Sequence, residues 1–168
     1  MLSGSEALER TLDVVLTASA PSVPEARRAV LAVAAAHGAA ADELDRICLA
    51  VSEAVTNAVV HAYGGRPGEI RLSAAASGRA LCVSVCDRGC GFGAAGMSAG
   101  LGIGMAVMGA SCDALNVIPG PDGGTVIEMS FWLNELQPTR ELAAEGAAVN
   151  GAAALAGPGS LQSAACPA

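Results

Sequence analysis

The chain has 168 residues, 52% of them hydrophobic and only 15% charged, and its formal net charge of −7 sets 16 acidic residues against nine arginines and no lysine. That length suits one domain with residues to spare and makes two full domains an excessive reading. The acidic balance leaves no basic face for sequence-independent binding of nucleic-acid phosphates, and no apolar run approaches the ~20 residues that a membrane-spanning helix needs.

With only four aromatic residues, Tyr63, Phe92, Phe131 and Trp132, the core is expected to be aliphatic. The N-terminus lacks the basic, apolar and small-residue order of a signal peptide, so the expected location is the cytoplasm. The six cysteines (48, 82, 86, 90, 112 and 166) have no Cys-x-x-Cys pairing. They read as buried thiols rather than as a zinc site or a disulfide framework. Without lysine, any bound phosphate must be neutralised by a metal ion, by backbone amides or by arginine.

In chain order, residues 1–10 read as a flexible start. The β-branched run 11–18 predicts a strand, ended by Ala20-Pro21-Ser22-Val23-Pro24. Ser22 suits the N-cap of a first helix, with Pro24 and Glu25 in its first turn. That helix is expected to reach about His37, burying Val23, Ala26, Val30, Val33 and Ala34, with Gly38 as its stop and His37 donating at the C-terminus.

A second helix is predicted over 42–62 with Asp42 as cap. Leu44, Ile47, Cys48, Val51, Val55, Ala58 and Val59 give it an apolar stripe at helical spacing. Glu53, Asn57 and His61 recur every four residues and so line one edge of it. A glycine-rich turn at 64–68 leads to strands at 69–77 and 80–87, joined as a hairpin through Ser77-Gly78-Arg79.

Leu81, Val83, Val85 and Asp87 share one strand face. A carboxylate ending an apolar face is costly unless it has a partner. From Arg88 the chain turns glycine-rich, which predicts a mobile loop leading into a short helix from about Leu101 to Gly109. Two last strands, 114–118 and 125–133, flank a turn at 119–124. Residues 134–168 are Ala/Gly/Pro-rich and are expected to be a largely disordered tail, leaving 11–133 as the folded domain.

Four motifs in this order resemble the GHKL ATP-binding family, most closely its bacterial anti-sigma factor serine/threonine kinases. Glu53-x-x-x-Asn57-x-x-x-His61-Ala62-Tyr63 is similar to the family's N box. Asp87-x-Gly89-x-Gly91-Phe92 resembles the first glycine box, the run Gly100, Leu101, Gly102, Ile103, Gly104 the second, and Gly124-Thr125 the closing motif. The resemblance covers about residues 10–133. It implies an α+β fold of the Bergerat type: a two-layer α/β sandwich whose mixed, mainly antiparallel sheet carries its helices on one face.

The resemblance also implies roles. Asp87 would accept a hydrogen bond from the adenine exocyclic amine, with Thr125 supporting the same edge through its hydroxyl or a water. Asn57 offers Mg²⁺ a hard oxygen ligand. Gly89 and Gly91 allow close backbone approach, and the second glycine run leaves amides free at a helix start to hold the phosphates of ATP. Glu53 would be the general base for phosphotransfer, while His61 is expected to pack or hydrogen-bond near the helix end. The implied partners are a sigma factor and a STAS-domain anti-anti-sigma protein, with homodimerisation as a family expectation. An ATP-binding module that holds a partner without transferring phosphate is the alternative.

Overall fold

Burial alternates along the central strands, and that alternation sets the sheet against its helices. The computed structural model describes residues 9–64, 66–91 and 101–133. In strand β2 (Glu69–Ser77), Ile70, Leu72, Ala74 and Ala76 turn inward; in β3 (Ala80–Asp87), Leu81, Val83, Val85 and Asp87 do so. Ile127, Met129 and Phe131 do the same in β5 (Thr125–Trp132). Register carries the inward rows across the sheet, with Leu72 opposite Val85 and Val85 opposite Ile127. A one-residue slip would turn each row to solvent, so the hydrophobic pattern specifies the pairing.

The edge strands are β1 (Glu9–Thr17) and β4 (Ala114–Pro119), and the spatial order is β1-β2-β3-β5-β4. The expectation of a mainly antiparallel sheet holds at every one of the four pairings. β2 and β3 form the expected hairpin, closed at Ser77 and Ala80, with Gly78 at φ 53°.

Three helices cover the inner face: α1 (Ser22–Ala36), α2 (Ala41–Asn57) and α3 (Leu101–Ser111), with α2 packed between the other two. Ala26, Val30, Ala34, Ile47, Val51, Val55 and Met108 join the inward strand residues in one core. Burying each such large aliphatic or aromatic side chain contributes about 1.5–3 kcal/mol.

Several helix ends differ from expectation, each for a physical reason. Pro21 takes the N-cap position of α1, while Ser22 is buried and its hydroxyl donates to the carbonyl of Thr17, tying the helix to the end of β1. Val23 and Val33 are half-buried at the margin of the core, which α1 joins chiefly through Ala26, Val30 and Ala34. At its other end His37 holds the Val33 carbonyl through Nδ1 at 2.8 Å, and Gly38 stops the helix at φ 81°.

Asp42 does not cap α2. Instead the Ala40 N–H donates to Glu43 Oε2 at 2.7 Å, half of a capping box, since Ala40 has no side-chain acceptor to return the bond. The helix is α-helical only to Asn57 and then widens into a π turn, Ala58–Ala62. Such turns recur at functional sites. α3 runs two residues beyond Gly109, to Ser111, whose hydroxyl donates back to Val107 O at 2.7 Å.

A second polar tie fastens the helical layer to the sheet region. Arg46 on α2 donates to Asp113 Oδ2 at 2.8 Å and to the Trp132 carbonyl at 2.6 Å, and its guanidinium lies 5.7 Å from the centroid of the Phe131 ring. Asp113 Oδ2 also accepts the Trp132 N–H at 2.7 Å. The expected tail, 134–168, and the expected loop, 92–100, lie outside the described residues.

Candidate functional site

Helical spacing presents Glu53 and Asn57 on successive turns of α2, both half-buried and directed to the start of α3. Gly104 is what lets α3 come this close. A Cβ there would stand 2.9 Å from Glu53 Oε2, 3.5 Å from Asn57 Oδ1 and 3.7 Å from Asn57 Nδ2. Both polar ends of the Asn57 amide therefore face one gap, and Nδ2 is buried with no hydrogen-bond partner among the described residues. Which amide atom is oxygen follows from the network rather than from position, and a buried amide atom without a protein partner calls for a water, an ion or a ligand.

Oxygen-rich ligation by a divalent ion fits this arrangement. Among the described residues no three His, Cys, Asp or Glu side chains converge to hold a metal. An ion here would take one or two protein oxygens and the rest from phosphate and water, as magnesium does.

The second half of the site forms where β3 ends. Asp87 is 6% exposed, and its Oδ1 accepts the N–H of Gly89 at 2.8 Å and of Thr125 at 3.3 Å. Burial pushes this carboxyl above the usual range, against the two backbone N–H bonds that favour its ionised form. Thr125 thus lies beside Asp87, and the contact it makes is through its backbone N–H.

The glycines here are spacers between closely packed backbones. A Cβ on Gly89 would lie 2.1 Å from the Ala62 carbonyl oxygen, and one on Gly124 would lie 1.9 Å from that of Asp87. Gly91 stands at φ 77° beside the Gly123 carbonyl. The π turn is the other wall: the Cys90 N–H donates to Ala62 O at 2.8 Å and its thiol to His61 O at 3.3 Å. His61 thereby meets the loop through its carbonyl. At the rim, Arg88 and Asp122 approach to 4.0 Å, both largely exposed.

Of the second glycine run, Gly104 reaches the Glu53–Asn57 gap, whereas Gly102 is exposed and Ile103 is 81% exposed. Gly100, Phe92 and the Leu101 side chain lie outside the described residues. Cys90 is exposed, contrary to the expectation of buried thiols, because it sits on the turn leaving the sheet; Cys86 is buried and Cys48, Cys82 and Cys112 are half-buried. Among the described residues no helix is long and apolar enough to cross a membrane.

Tyr63 is the residue whose part the motif did not disclose. Its hydroxyl accepts the Arg88 N–H at 3.0 Å and donates to the Glu69 carbonyl. The signal in the sequence was a lone tyrosine closing a helix in a chain with very few aromatics.

An open antiparallel sheet, helices on one face and a two-part polar site at the open end of β3 define a nucleotide-binding domain of the ATPase class. Residues 16–131 match the histidine kinase-like ATPase domain. An anti-sigma F factor of Pasteuria penetrans is 30% identical over 145 residues, covering 79% of this chain and 95% of that protein. One of Thermoanaerobacter sp. (strain X514) is 33% identical over 119 residues, covering 64% and 83%. One of Clostridium acetobutylicum is 33% identical over 84 residues, 50% of this chain and 59% of the relative.

The fold is also similar to the crystal structure of the RsbU and RsbW domains of a Mycobacterium tuberculosis protein. The TM-score is 0.57 at 26% identity, and the match covers 73% of this chain but 31% of that one. The chain belongs to the histidine kinase-like ATPase domain family, on the branch of the bacterial anti-sigma factors.

Proposed function

We propose that this protein is a cytoplasmic anti-sigma factor that sequesters a sigma factor and phosphorylates a serine on a STAS-domain anti-anti-sigma antagonist with Mg-ATP. The observation that carries the catalytic part is the shared gap at Gly104, where the Glu53 carboxylate and the Asn57 amide face the start of α3. The partners come from the names of the relatives and from the resemblance of the N box.

In this reading Asp87 accepts the adenine exocyclic amine, with the N–H groups of Gly89 and Thr125 holding the other carboxylate oxygen. The N-terminal amides of α3 take phosphate oxygens, a role suited to a chain without lysine. Asn57 would hold a magnesium ion, which supplies charge neutralisation on the triphosphate. Glu53 takes the proton of the incoming serine hydroxyl as its oxygen bonds to the γ-phosphorus. The bond from that phosphorus to the β–γ bridging oxygen breaks, and ADP leaves. The phosphate added to the antagonist places charge on its docking surface and weakens its competition for the kinase, so sigma stays bound.

The test is incubation with Mg-ATP and STAS-domain proteins of the same organism, read by mass spectrometry, with Glu53→Gln as control. A phosphoserine that appears only with intact Glu53 is the expected result. Unchanged transfer by Glu53→Gln removes Glu53 as base. ATP binding without transfer by the intact protein to any STAS-domain protein of that organism favours a nucleotide-dependent binding module instead.

A further inference from the structure

We propose that Tyr63 is a positioning residue for Asp87, setting adenine selectivity without touching the base; the inference rests on the nucleotide-binding reading above. Three successive backbone N–H groups follow Asp87, and each has its own acceptor. Arg88 donates to the Tyr63 hydroxyl at 3.0 Å, Gly89 to Asp87 Oδ1 at 2.8 Å, and Cys90 to the Ala62 carbonyl at 2.8 Å. Two of those acceptors belong to the end of the helix that carries Glu53 and Asn57. The turn that aims the Asp87 carboxylate is therefore held from the phosphate half of the site.

The phenol is fixed for this task. Its proton goes to the carbonyl of Glu69, the first residue of β2, so the hydroxyl oxygen turns a lone pair to the Arg88 N–H. Glu69 adjoins Ile70, which lies directly opposite Asp87 in the sheet. The ring rests on Gly68, where a Cβ would come within 2.4 Å of three ring carbons. One side chain thus joins the end of the π turn, the start of β2 and the exit of β3. Arg88 itself is exposed, so without the hydroxyl its N–H turns to water and the turn loses its tether.

Tyr63→Phe keeps the ring on Gly68 and deletes only the hydroxyl, so the fold survives. The experiment measures dissociation constants for ATP and for purine-riboside triphosphate, which carries hydrogen in place of the exocyclic amine, on wild type, Tyr63→Phe and Asp87→Asn. Losing one positioning hydrogen bond is expected to weaken ATP by about three- to tenfold. The analogue, which has no amine for Asp87 to receive, changes by less than about twofold on the same grounds. Gly68→Ala, which displaces the ring, is expected to reproduce the loss of preference.

Equal weakening of both ligands by Tyr63→Phe assigns Tyr63 a purely structural part and overturns the inference. So does a wild-type preference in Tyr63→Phe while Asp87→Asn loses it. If Asp87→Asn also keeps the preference, the assignment of the adenine site itself fails, and the role of Tyr63 falls with it.

Discussion

Asp87 is a carboxylate placed where burial works against its charge. Its folded pKa lies above the ordinary value, so its contribution to stability is greatest at low pH and is lost as the pH rises through the folded pKa. Asp87→Asn keeps an acceptor for the Gly89 and Thr125 N–H groups and removes that loss. The nucleotide-free variant is expected to melt above wild type at neutral pH, with the gap closing in acid. Its affinity for ATP is expected to fall about 10- to 100-fold, the worth of a hydrogen bond to a charged group. Calorimetric melting and an ATP titration on the same preparation check both halves. Asp113 shows the opposite sign. Burial raises its carboxyl, but the Trp132 N–H bond and the hydrogen bond and charge of Arg46 together hold it below the usual range. The stabilisation it gives is therefore complete above its unfolded pKa and lost as the pH falls through the folded one. With both partners about a third exposed, screening keeps the effect small. Asp113→Ala is expected to cost about 1 kcal/mol at pH 7. In urea melts the difference from wild type should vanish well below pH 4, the ordinary aspartate range being about 3.9.

At the scale of elements, the contact of α2 with α3 decides whether the site is assembled. Gly104→Ala places a methyl group 2.9 Å from Glu53 Oε2, too close for an unstrained contact, but that oxygen ends a flexible side chain and can move aside. The gain in helix propensity, about 1 kcal/mol, offsets the crowding. Stability is thus expected to stay within about 1 kcal/mol of wild type, while the proposed phosphotransfer is expected to fall about tenfold or more because Glu53, the proposed base, is displaced. Single-turnover phosphotransfer set beside a denaturant melt tests this; equal losses in both would mean that Gly104 serves packing alone. The same contact shows how far the sequence could be read. Helical spacing placed α2 and alternation placed β3, since each buries one face and its core-facing residues recur with its own period; β1 was legible from its β-branched run and α3 from the glycines that bound it. Helix ends were harder. Ser22 looks like a cap by residue type, but Thr17 at the end of β1 offers its hydroxyl a carbonyl. Ala40, not Asp42, holds the N-cap position of α2, and its N–H is taken by Glu43, which lies on the buried side of the first turn.

For the whole molecule, ligand binding is expected to tie the halves of the site together, because Asp87, the proposed adenine acceptor, sits on the sheet and Asn57, the proposed metal ligand, on the helical layer. ATP with magnesium at 100 times its dissociation constant should add about 2.7 kcal/mol of stability, or roughly 10 °C in melting temperature for a domain of this size. Asn57→Ala should lose the magnesium-dependent part of that rise and keep the rest; a rise independent of magnesium in wild type would count against Asn57 as its ligand. By itself the sequence determined which residues are chemically able to act. Glu53 and Asn57 share a helix edge through helical spacing, and Asp87 ends an apolar strand through alternation, both consequences of local geometry. Only the tertiary structure decided what those residues meet. Asp87 receives the N–H of Thr125, 38 residues away; Gly104 fits against Glu53 and Asn57; Tyr63 holds the N–H of Arg88. A glycine shows in the sequence that a backbone can be approached, but not which segment approaches it, and a backbone donor shows nothing of its acceptor. Their partners exist only once the sheet register and the packing of α2 between α1 and α3 have brought distant segments together.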